Sequence, residues 1–249
     1  MRLPRLAILA PLGLILAACG NTDDVAETET GAIEGEAIAA IPAPDGTSWV
    51  DTASKTAEGG YVIGNPDAPL KLVEYASHTC GACANFSTTG AGPLTEDYVS
   101  TGRVSYEIRP LLRDPLDVTI DVLAQCGAPE SYHALSDQAW AALPELDNQL
   151  RANATAFEAA MNGPPEQRFV VLAQAAGLID FFSARGLSAD QARQCLGDTA
   201  TIQQIADQSQ QSAESNEVTG TPTFFLNGRR LEENQWASLE PVLQRAGAR

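Results

Sequence analysis

The chain has 249 residues, a formal net charge of −17 at pH 7 and a hydrophobic fraction of 44%. This length accommodates one domain of about 150 to 200 residues with additional segments, and the hydrophobic fraction suffices for a packed core. With 32 acidic residues against 15 basic ones, the composition argues against nucleic acid or an anionic membrane surface as the main partner.

The first 18 residues are typical of an export signal. Arg2 and Arg5 precede a 13-residue apolar run, which is too short to span a bilayer, since that takes about 20 residues. The run ends in Leu16, Ala17, Ala18 and Cys19, which resembles the bacterial lipobox, whose cysteine is lipidated. We predict a lipoprotein signal peptide over residues 1–18 with lipid on Cys19. An ordinary signal peptide is the alternative.

The next segment is acidic and lacks apolar periodicity. Between residues 20 and 48 there are seven acidic side chains and no basic one. Such a segment repels itself and buries too little apolar surface to fold. We therefore predict a disordered acidic tether over residues 19–48.

The pattern over residues 49–113 predicts the first part of a folded domain. A turn cluster at 64–69 leads into an apolar run at 70–76, which has the length of a strand. Residues 84–101 predict a helix, and residues 103–109 alternate with period two as a second strand. This order is that of a parallel crossover unit.

An all-helical insertion is predicted over residues 114–198. Apolar residues recur there at helical spacing, as at Phe169, Leu172, Ala176 and Ile179. The predicted helices span 117–125, 131–143, 154–161, 166–176 and 188–196.

Residues 199–249 predict a helix, a strand at 221–226, a short strand at 229–231 and a final helix at 234–246. Asn227 and Gly228 between the two strands are typical of a hairpin turn. The whole order predicts an α/β protein, a thioredoxin fold with an inserted all-helical domain.

Cys80 and Cys83 lie three positions apart, directly after a predicted strand and at the start of a helix. The helix dipole and the free amides at that position favour a thiolate, so Cys80 is the predicted nucleophile. Cys83 would then resolve the mixed disulfide that Cys80 forms. Half of a zinc site and an inert local disulfide are the alternatives; zinc lacks a second close pair, because Cys126 and Cys195 are 69 positions apart.

From about residue 60 to its end, the chain resembles the DsbA-like branch of the thioredoxin superfamily. The resemblance rests on the helical insertion and on the residues at 64–69, 74–77, 80–83 and 220–224. It implies that the bond between Thr221 and Pro222 is cis and faces the cysteines, where backbone groups bind a peptide. A trans proline at the start of a strand is the alternative.

Glu74 lies six residues before Cys80 and matches the buried acid of that family. It shares a strand face with Leu70, Leu72 and Ala76, so its pKa should be raised, and it could shuttle the proton of Cys83. A solvated strand residue is the alternative.

Strongly oxidising members of that family carry a histidine where this chain has Ala82. The resemblance therefore implies an intermediate redox potential and a Cys80 thiolate that lacks a stabilising partner. His78 is expected to be an exposed loop residue, with donation to the Cys80 thiolate as the alternative. His133 is expected to have no chemical role.

The remaining cysteines are Cys126 and Cys195, near the two ends of the predicted insertion. If Cys19 is lipidated, four cysteines remain, and an oxidising compartment favours full pairing. Similar family members carry a disulfide inside the insertion. We predict a structural disulfide between Cys126 and Cys195, with two separate buried thiols as the alternative.

Together these features predict a periplasmic, membrane-anchored thiol-disulfide oxidoreductase without cofactor or metal. Its expected partners are exported proteins with thiols or disulfides and an unidentified redox-recycling partner. Membrane contact is expected only through the lipid, and no nucleic acid is expected. The alternatives are a non-catalytic, thioredoxin-fold lipoprotein that binds peptides and a dedicated periplasmic reductase or isomerase.

Overall fold

The computed structural model describes residues 33–249. A six-stranded sheet in the order β1-β2-β4-β3-β5-β6 forms its centre, and only the pair of β3 with β4 is parallel. The strands are β1 (Ala53–Lys55), β2 (Tyr61–Gly64), β3 (Leu70–Ala76), β4 (Val104–Pro110), β5 (Thr223–Leu226) and β6 (Arg229–Arg230).

Helices cover both faces of this sheet. They are α1 (Gly81–Phe86), α2 (Pro115–Gln125), α3 (Tyr132–Ala141), α4 (Leu143–Ala152), α5 (Ala154–Asn162), α6 (Pro165–Ala175), α7 (Leu178–Ser183), α8 (Ala189–Gly197), α9 (Thr199–Ser215) and α10 (Trp236–Arg245). Wider π-helical turns at Ser87–Ala91 and Leu94–Tyr98 and a 3-10 turn at Val99–Thr101 continue α1 towards β4.

Polar side chains fix the starts of three helices. Asp114 caps α2 by accepting a hydrogen bond from Asp117 N (2.9 Å), and Pro115 follows it in the first turn. Ser188 caps α8 and Asp198 caps α9 in the same way. These caps set the residues at which α2, α8 and α9 begin.

The core lies on two sides of the sheet because side chains alternate along each strand. On one side, Leu72 and Ala76 pack with α1 and the helices of the 115–197 region. On the other, Tyr75 packs with Phe225 and with Ala213 near the end of α9. The predicted fold is confirmed: it is a thioredoxin-fold mixed sheet with many helices between β4 and β5.

Four elements are not predicted by the sequence pattern: β1, β2, α4 and α7. The hairpin of β1 and β2 is missed because β1 is largely exposed and therefore shows no alternation of apolar residues. Helix α4 follows α3 after a single residue, and α7 is a six-residue helix that begins after Gly177 in the left-handed region (φ 71°).

The tether prediction is wrong for residues 33–48. This segment has no regular secondary structure, but Ile38 N donates to Gly247 O (2.9 Å) and Ile41 N to Thr101 O (2.9 Å). Trp49 Nε1 donates to Ile41 O (2.7 Å). The segment packs through its isoleucines and backbone, while its acidic side chains stay exposed.

The predicted signal peptide at 1–18, Cys19 and the first part of the tether lie outside the described residues. Among residues 33–249, the structure has no helix that combines the length and the hydropathy of a membrane span.

Candidate active site

Cys80 occupies the N-cap of α1, where its backbone is still extended (φ −92°, ψ 114°). Its sulfur accepts a hydrogen bond from Cys83 N (3.4 Å), one of the amides that have no partner within the helix. Both cysteines are free thiols and are buried, with 5% of Cys80 and none of Cys83 exposed. The first thiol therefore faces the end of the helix, and the second lies inside it.

The pKa of the Cys80 thiol is lowered from 9.0 to about 5. The largest cause is a hydrogen bond from the Cys83 thiol; the Thr221 side chain and the amides of Cys83 and Ala82 add to it against the opposing effect of burial. The expectation that Cys80 lacks a stabilising partner because position 82 is alanine is therefore wrong. The partners come from Cys83 and from a residue 141 positions away.

Burial raises the pKa of the Cys83 thiol, and the hydrogen bond to Cys80 and the charge of Glu74 raise it further. At neutral pH, Cys80 is therefore a thiolate and Cys83 a thiol. A base must remove the Cys83 proton before that sulfur can attack a disulfide.

Thr221 and Pro222 are joined by a cis peptide bond directly before β5. In its thiol form, Cys80 Sγ donates to Thr221 O (3.3 Å). The Thr221 Oγ1 atom is buried and has no hydrogen-bond partner among residues 33–249, so it is free to donate to Cys80 once that sulfur is charged. The structure thus brings Thr221, Pro222 and the two cysteines together.

Glu74 is 1% exposed, so the alternative of a solvated strand residue is wrong. The Tyr106 hydroxyl donates to Glu74 Oε2, whereas Oε1 has no hydrogen-bond partner within the described part of the chain. Burial raises the pKa of Glu74 to about 8; the hydrogen bond from Tyr106 opposes this, and the charges of Asp137 and Cys80 add to it. Glu74 is therefore mostly neutral at pH 7.

His78 is only 2% exposed, so the expectation of an exposed loop histidine is also wrong. Its ring stacks on Trp140 at 5.0 Å, and Nε2 shares a hydrogen bond with Ser136 Oγ (3.0 Å). Its Nδ1 atom lies 3.7 Å from Asp117 Oδ1. The His78 side chain therefore contacts residues of α2 and α3, and none of these contacts is with Cys80. His133 is buried and pairs with Tyr61 O (2.8 Å).

Asp117 is a site residue that the sequence pattern did not reveal, because it has the pattern of an ordinary acid in the first turn of a helix. It is fully buried, and its carboxylate accepts from Ser77 Oγ (2.6 Å), His78 N (2.8 Å) and Arg113 N (3.0 Å). These bonds attach the loop that precedes Cys80 to the first turn of α2.

Cys126 and Cys195 form a disulfide with a Cα–Cα distance of 6.1 Å, so the alternative of two separate thiols is wrong. The bond joins the end of α2 to α8. Over residues 33–249, no three His, Cys, Asp or Glu side chains cluster as ligands of a metal ion.

The chain is similar in sequence to several known proteins. A family model described as thioredoxin matches residues 56–245. A candidate protein-disulfide oxidoreductase of Rickettsia bellii is 24% identical over 193 residues, which cover 77% of this chain and 66% of the relative. One of Rickettsia conorii is 25% identical over 180 residues, covering 72% and 57%. The chain thus spans less than two thirds of these relatives' own length.

Solved structures give relatives in fold. A protein-disulfide isomerase from Novosphingobium aromaticivorans superposes with a TM-score of 0.70 and 29% identity, over 77% of this chain and 99% of that protein. Wolbachia pipientis α-DsbA1 superposes with a TM-score of 0.56 and 19% identity, over 75% and 90%.

Proposed function

The chain belongs to the thioredoxin family, and on that premise we propose that it is a DsbA-like thiol-disulfide oxidoreductase that exchanges disulfides with exported proteins. The observation that carries this proposal is that the pKa values of its two neighbouring thiols are shifted in opposite directions. The pKa of Cys80 is lowered to about 5, while the pKa of Cys83 is raised. Cys80 is therefore the thiolate that attacks first, and Cys83 stays protonated until the second step.

The exchange proceeds through a mixed disulfide. The Cys80 thiolate attacks one sulfur of a client disulfide, and the other client sulfur leaves as a thiolate and takes up a proton. Cys83 then loses its proton and attacks the Cys80 sulfur, which forms the Cys80–Cys83 bond and releases the second client thiolate. Two electrons pass from the protein to the client; oxidation of a client dithiol is the same sequence in reverse.

Glu74 is the proposed base for Cys83. Its carboxyl is buried, its charge raises the pKa of Cys83, and its own pKa of about 8 lies near physiological pH. A base with a pKa near the working pH can both accept and return a proton. Thr221 and Pro222 would present backbone groups to the client peptide beside Cys80.

The proposal is tested by replacing each cysteine separately. The Cys83→Ser variant should accumulate mixed disulfides with exported proteins because the second attack is blocked, and these should appear on non-reducing gels and collapse with dithiothreitol. The matched Cys80→Ser variant should accumulate none. A Cys83→Ser protein that traps no client would favour the rival function, a peptide-binding module without redox chemistry.

We also propose that the protein is exported and held at the membrane through lipid on Cys19. The apolar run before Cys19 and the lipobox-like residues support this, and a disulfide such as Cys126–Cys195 persists in oxidising compartments. When the full chain is expressed in a bacterium, it should take up a fatty-acid label and enter the detergent phase. The Cys19→Ala variant should lose both properties, whereas a labelled Cys19→Ala protein would contradict lipidation at this residue.

The net direction of exchange depends on the recycling partner, and the redox potential of the Cys80–Cys83 pair limits which partners can oxidise or reduce it. Reference potentials run from about −270 mV for thioredoxin to about −120 mV for DsbA, and stabilisation of the nucleophilic thiolate moves a protein towards the oxidising end. The Cys80 pKa of about 5 lies between the thiol pKa values of about 7 and about 3.5 of those two proteins. We therefore propose an intermediate potential; a value near that of thioredoxin against glutathione would support the reductase alternative.

A further inference from the structure

Tyr106 and Glu74 lie side by side in the core, and the charge of Glu74 interacts with both cysteines. They belong to the neighbouring parallel strands β4 and β3, in which Leu72 pairs with Tyr106 and Glu74 with Ile108. Both side chains therefore point to the same face of the sheet. Tyr106 is 2% and Glu74 1% exposed, so solvent does not compete for the hydrogen bond between them.

The two oxygens of Glu74 have different surroundings. Oε2 accepts the hydrogen bond from the Tyr106 hydroxyl, and Oε1 has no partner among residues 33–249. We propose that Tyr106 is a positioning residue of the resolving step: by occupying Oε2 it directs the proton of Cys83 to Oε1. This inference rests on the thiol-disulfide exchange proposed above and assigns a role in it to a residue that does not touch the reacting sulfurs.

The surroundings of Tyr106 keep its hydroxyl protonated, so that it can donate a hydrogen bond to Glu74. Burial and the charge of Glu74 raise the pKa of Tyr106 well above its usual range, so the phenol keeps its proton. Its ring is held between Phe86 (centroids 6.4 Å apart) and His133 (5.1 Å). His133 has a pKa lowered to about 4 by burial, so it is neutral and brings no charge to the pair.

The other groups that act on Glu74 come from α1 and α3. The N-cap and first turn of α1 contribute Cys80 and Cys83, whose sulfurs interact with the Glu74 charge. Helix α3 contributes Asp137, whose Oδ1 accepts from Ser87 Oγ (2.5 Å). On β5, the residue that pairs with Glu74 is Phe224, which is apolar. Within the described residues, Tyr106 is the side chain that donates a hydrogen bond to the Glu74 carboxylate.

The step itself can be written with oxidised glutathione as the client. After the first attack, Cys80 is joined to one glutathione through a mixed disulfide. The Cys83 proton passes to Glu74 Oε1, directly or through one water molecule, the Cys83 sulfur bonds to the Cys80 sulfur, and the bond from Cys80 to glutathione breaks. Glutathione leaves as a thiolate with the electron pair of that bond, and Glu74 later returns the proton to solvent.

The test measures the rate of this second step against pH by acid quenching and mass spectrometry. In the wild-type protein, the rate should rise with a midpoint near pH 8, where Glu74 becomes charged. Tyr106→Phe removes a hydrogen bond that favours the charged carboxylate. The midpoint should therefore move up by about one pH unit, and the rate at pH 7 should fall about tenfold.

An isosteric variant tests the opposite direction. Tyr106→3-fluorotyrosine keeps the shape of the ring but makes the phenol a stronger donor, so the midpoint should move down. This variant keeps the inference testable if Tyr106→Phe does not fold. In a Glu74→Gln background, either change should leave the pH profile where it is, because the group on which Tyr106 acts is gone.

Tyr132→Phe is the matched control. Tyr132 is fully buried and its hydroxyl donates to Asp121 Oδ1 (2.8 Å), also a buried carboxylate. This variant loses the same kind of bond elsewhere, so its midpoint should stay with the wild type. A Tyr106→Phe midpoint that coincides with the wild type, or a fluorotyrosine midpoint that moves up, would overturn the inference. A wild-type protein that forms no mixed disulfide at all would instead overturn the proposed function.

Discussion

The Cys80 sulfur is stabilised by one group that is near it in the sequence and by one that is distant. Cys83 is three positions away, whereas Thr221 lies 141 positions away, just before β5. The Thr221 hydroxyl is the one side-chain donor from outside α1 that lowers the pKa of Cys80. The thiolate therefore depends on the loop before β5 in addition to the helix, which supplies the largest contribution.

Thr221→Val should therefore raise the pKa of Cys80 by about one unit, since a hydrogen bond to a charged group is lost. Thiolate absorbance at 240 nm of the reduced protein, followed against pH, measures this shift. Thr119→Val is a suitable control, because the buried Thr119 hydroxyl is bonded within α2 to Pro115 O (2.6 Å). If the Cys80 pKa stayed at about 5 in Thr221→Val, the Thr221 hydroxyl would have no part in stabilising the thiolate.

At this scale, the sequence identified the residues whose roles depend on local spacing. The two cysteines follow from their position at a strand end, and the burial of Glu74 follows from the alternation along β3. The surroundings of His78 and the role of Asp117 do not, because the interacting residues are 39 and 58 positions apart in the chain. The effect of Ala82 was misjudged for the same reason.

Helix α2 connects two features of the molecule. Its first turn holds the loop before Cys80 through Asp117, and Asp114 at its N-cap accepts from Thr79 Oγ1 (2.6 Å). Its last turn leads into Cys126 and the disulfide to α8. Helix α2 therefore links the disulfide to the loop before Cys80.

Reducing the Cys126–Cys195 disulfide should cost about 4 kcal/mol of unfolding free energy, because it closes a long loop of the unfolded chain; the two residues are 69 positions apart. Urea unfolding of a Cys80→Ser/Cys83→Ser protein with and without dithiothreitol measures the difference. In the same background, a Cys126→Ala/Cys195→Ala variant should not respond to the reductant. An unchanged midpoint in the first protein would show that the bond contributes little.

The elements that sequence periodicity identified are the long or fully buried ones. The prediction at 70–76 coincides with β3, because a short apolar run bounded by turn residues is typical of a buried strand. Helices α4 and α7 and the β1–β2 hairpin were missed, since each is short and owes its conformation to neighbours rather than to its own pattern.

At the scale of the whole domain, the titrations of Cys80 and Glu74 have opposite effects on the free energy of unfolding. The pKa of Cys80 is lowered from 9.0 to about 5, so its contribution is present above pH 9 and is lost as the pH falls to 5. The pKa of Glu74 is raised from 4.5 to about 8, so its contribution is lost as the pH rises over that interval. Between pH 5 and 8 the two effects nearly cancel in the reduced protein.

Glu74→Gln should remove this compensation. Relative to the wild type, the unfolding free energy of the reduced variant should rise by about 1.4 kcal/mol per pH unit between pH 5 and 8. Denaturant unfolding at a series of pH values gives the difference, with Glu58→Gln, at an exposed position, as the control. Parallel curves for Glu74→Gln and the wild type would mean that Glu74 is not titrating as described.

The two ends of the described domain are bound to each other. Gly35 N donates to Arg245 O (2.8 Å), and Arg249 Nη2 donates to Gly35 O (3.1 Å). A short peptide bridging these ends would therefore close the domain into a ring with little distortion. New termini could then be opened at the exposed turn around Gly186, between α7 and α8. The fold is thus suited to circular permutation, in which the order of its elements along the chain changes and their packing does not.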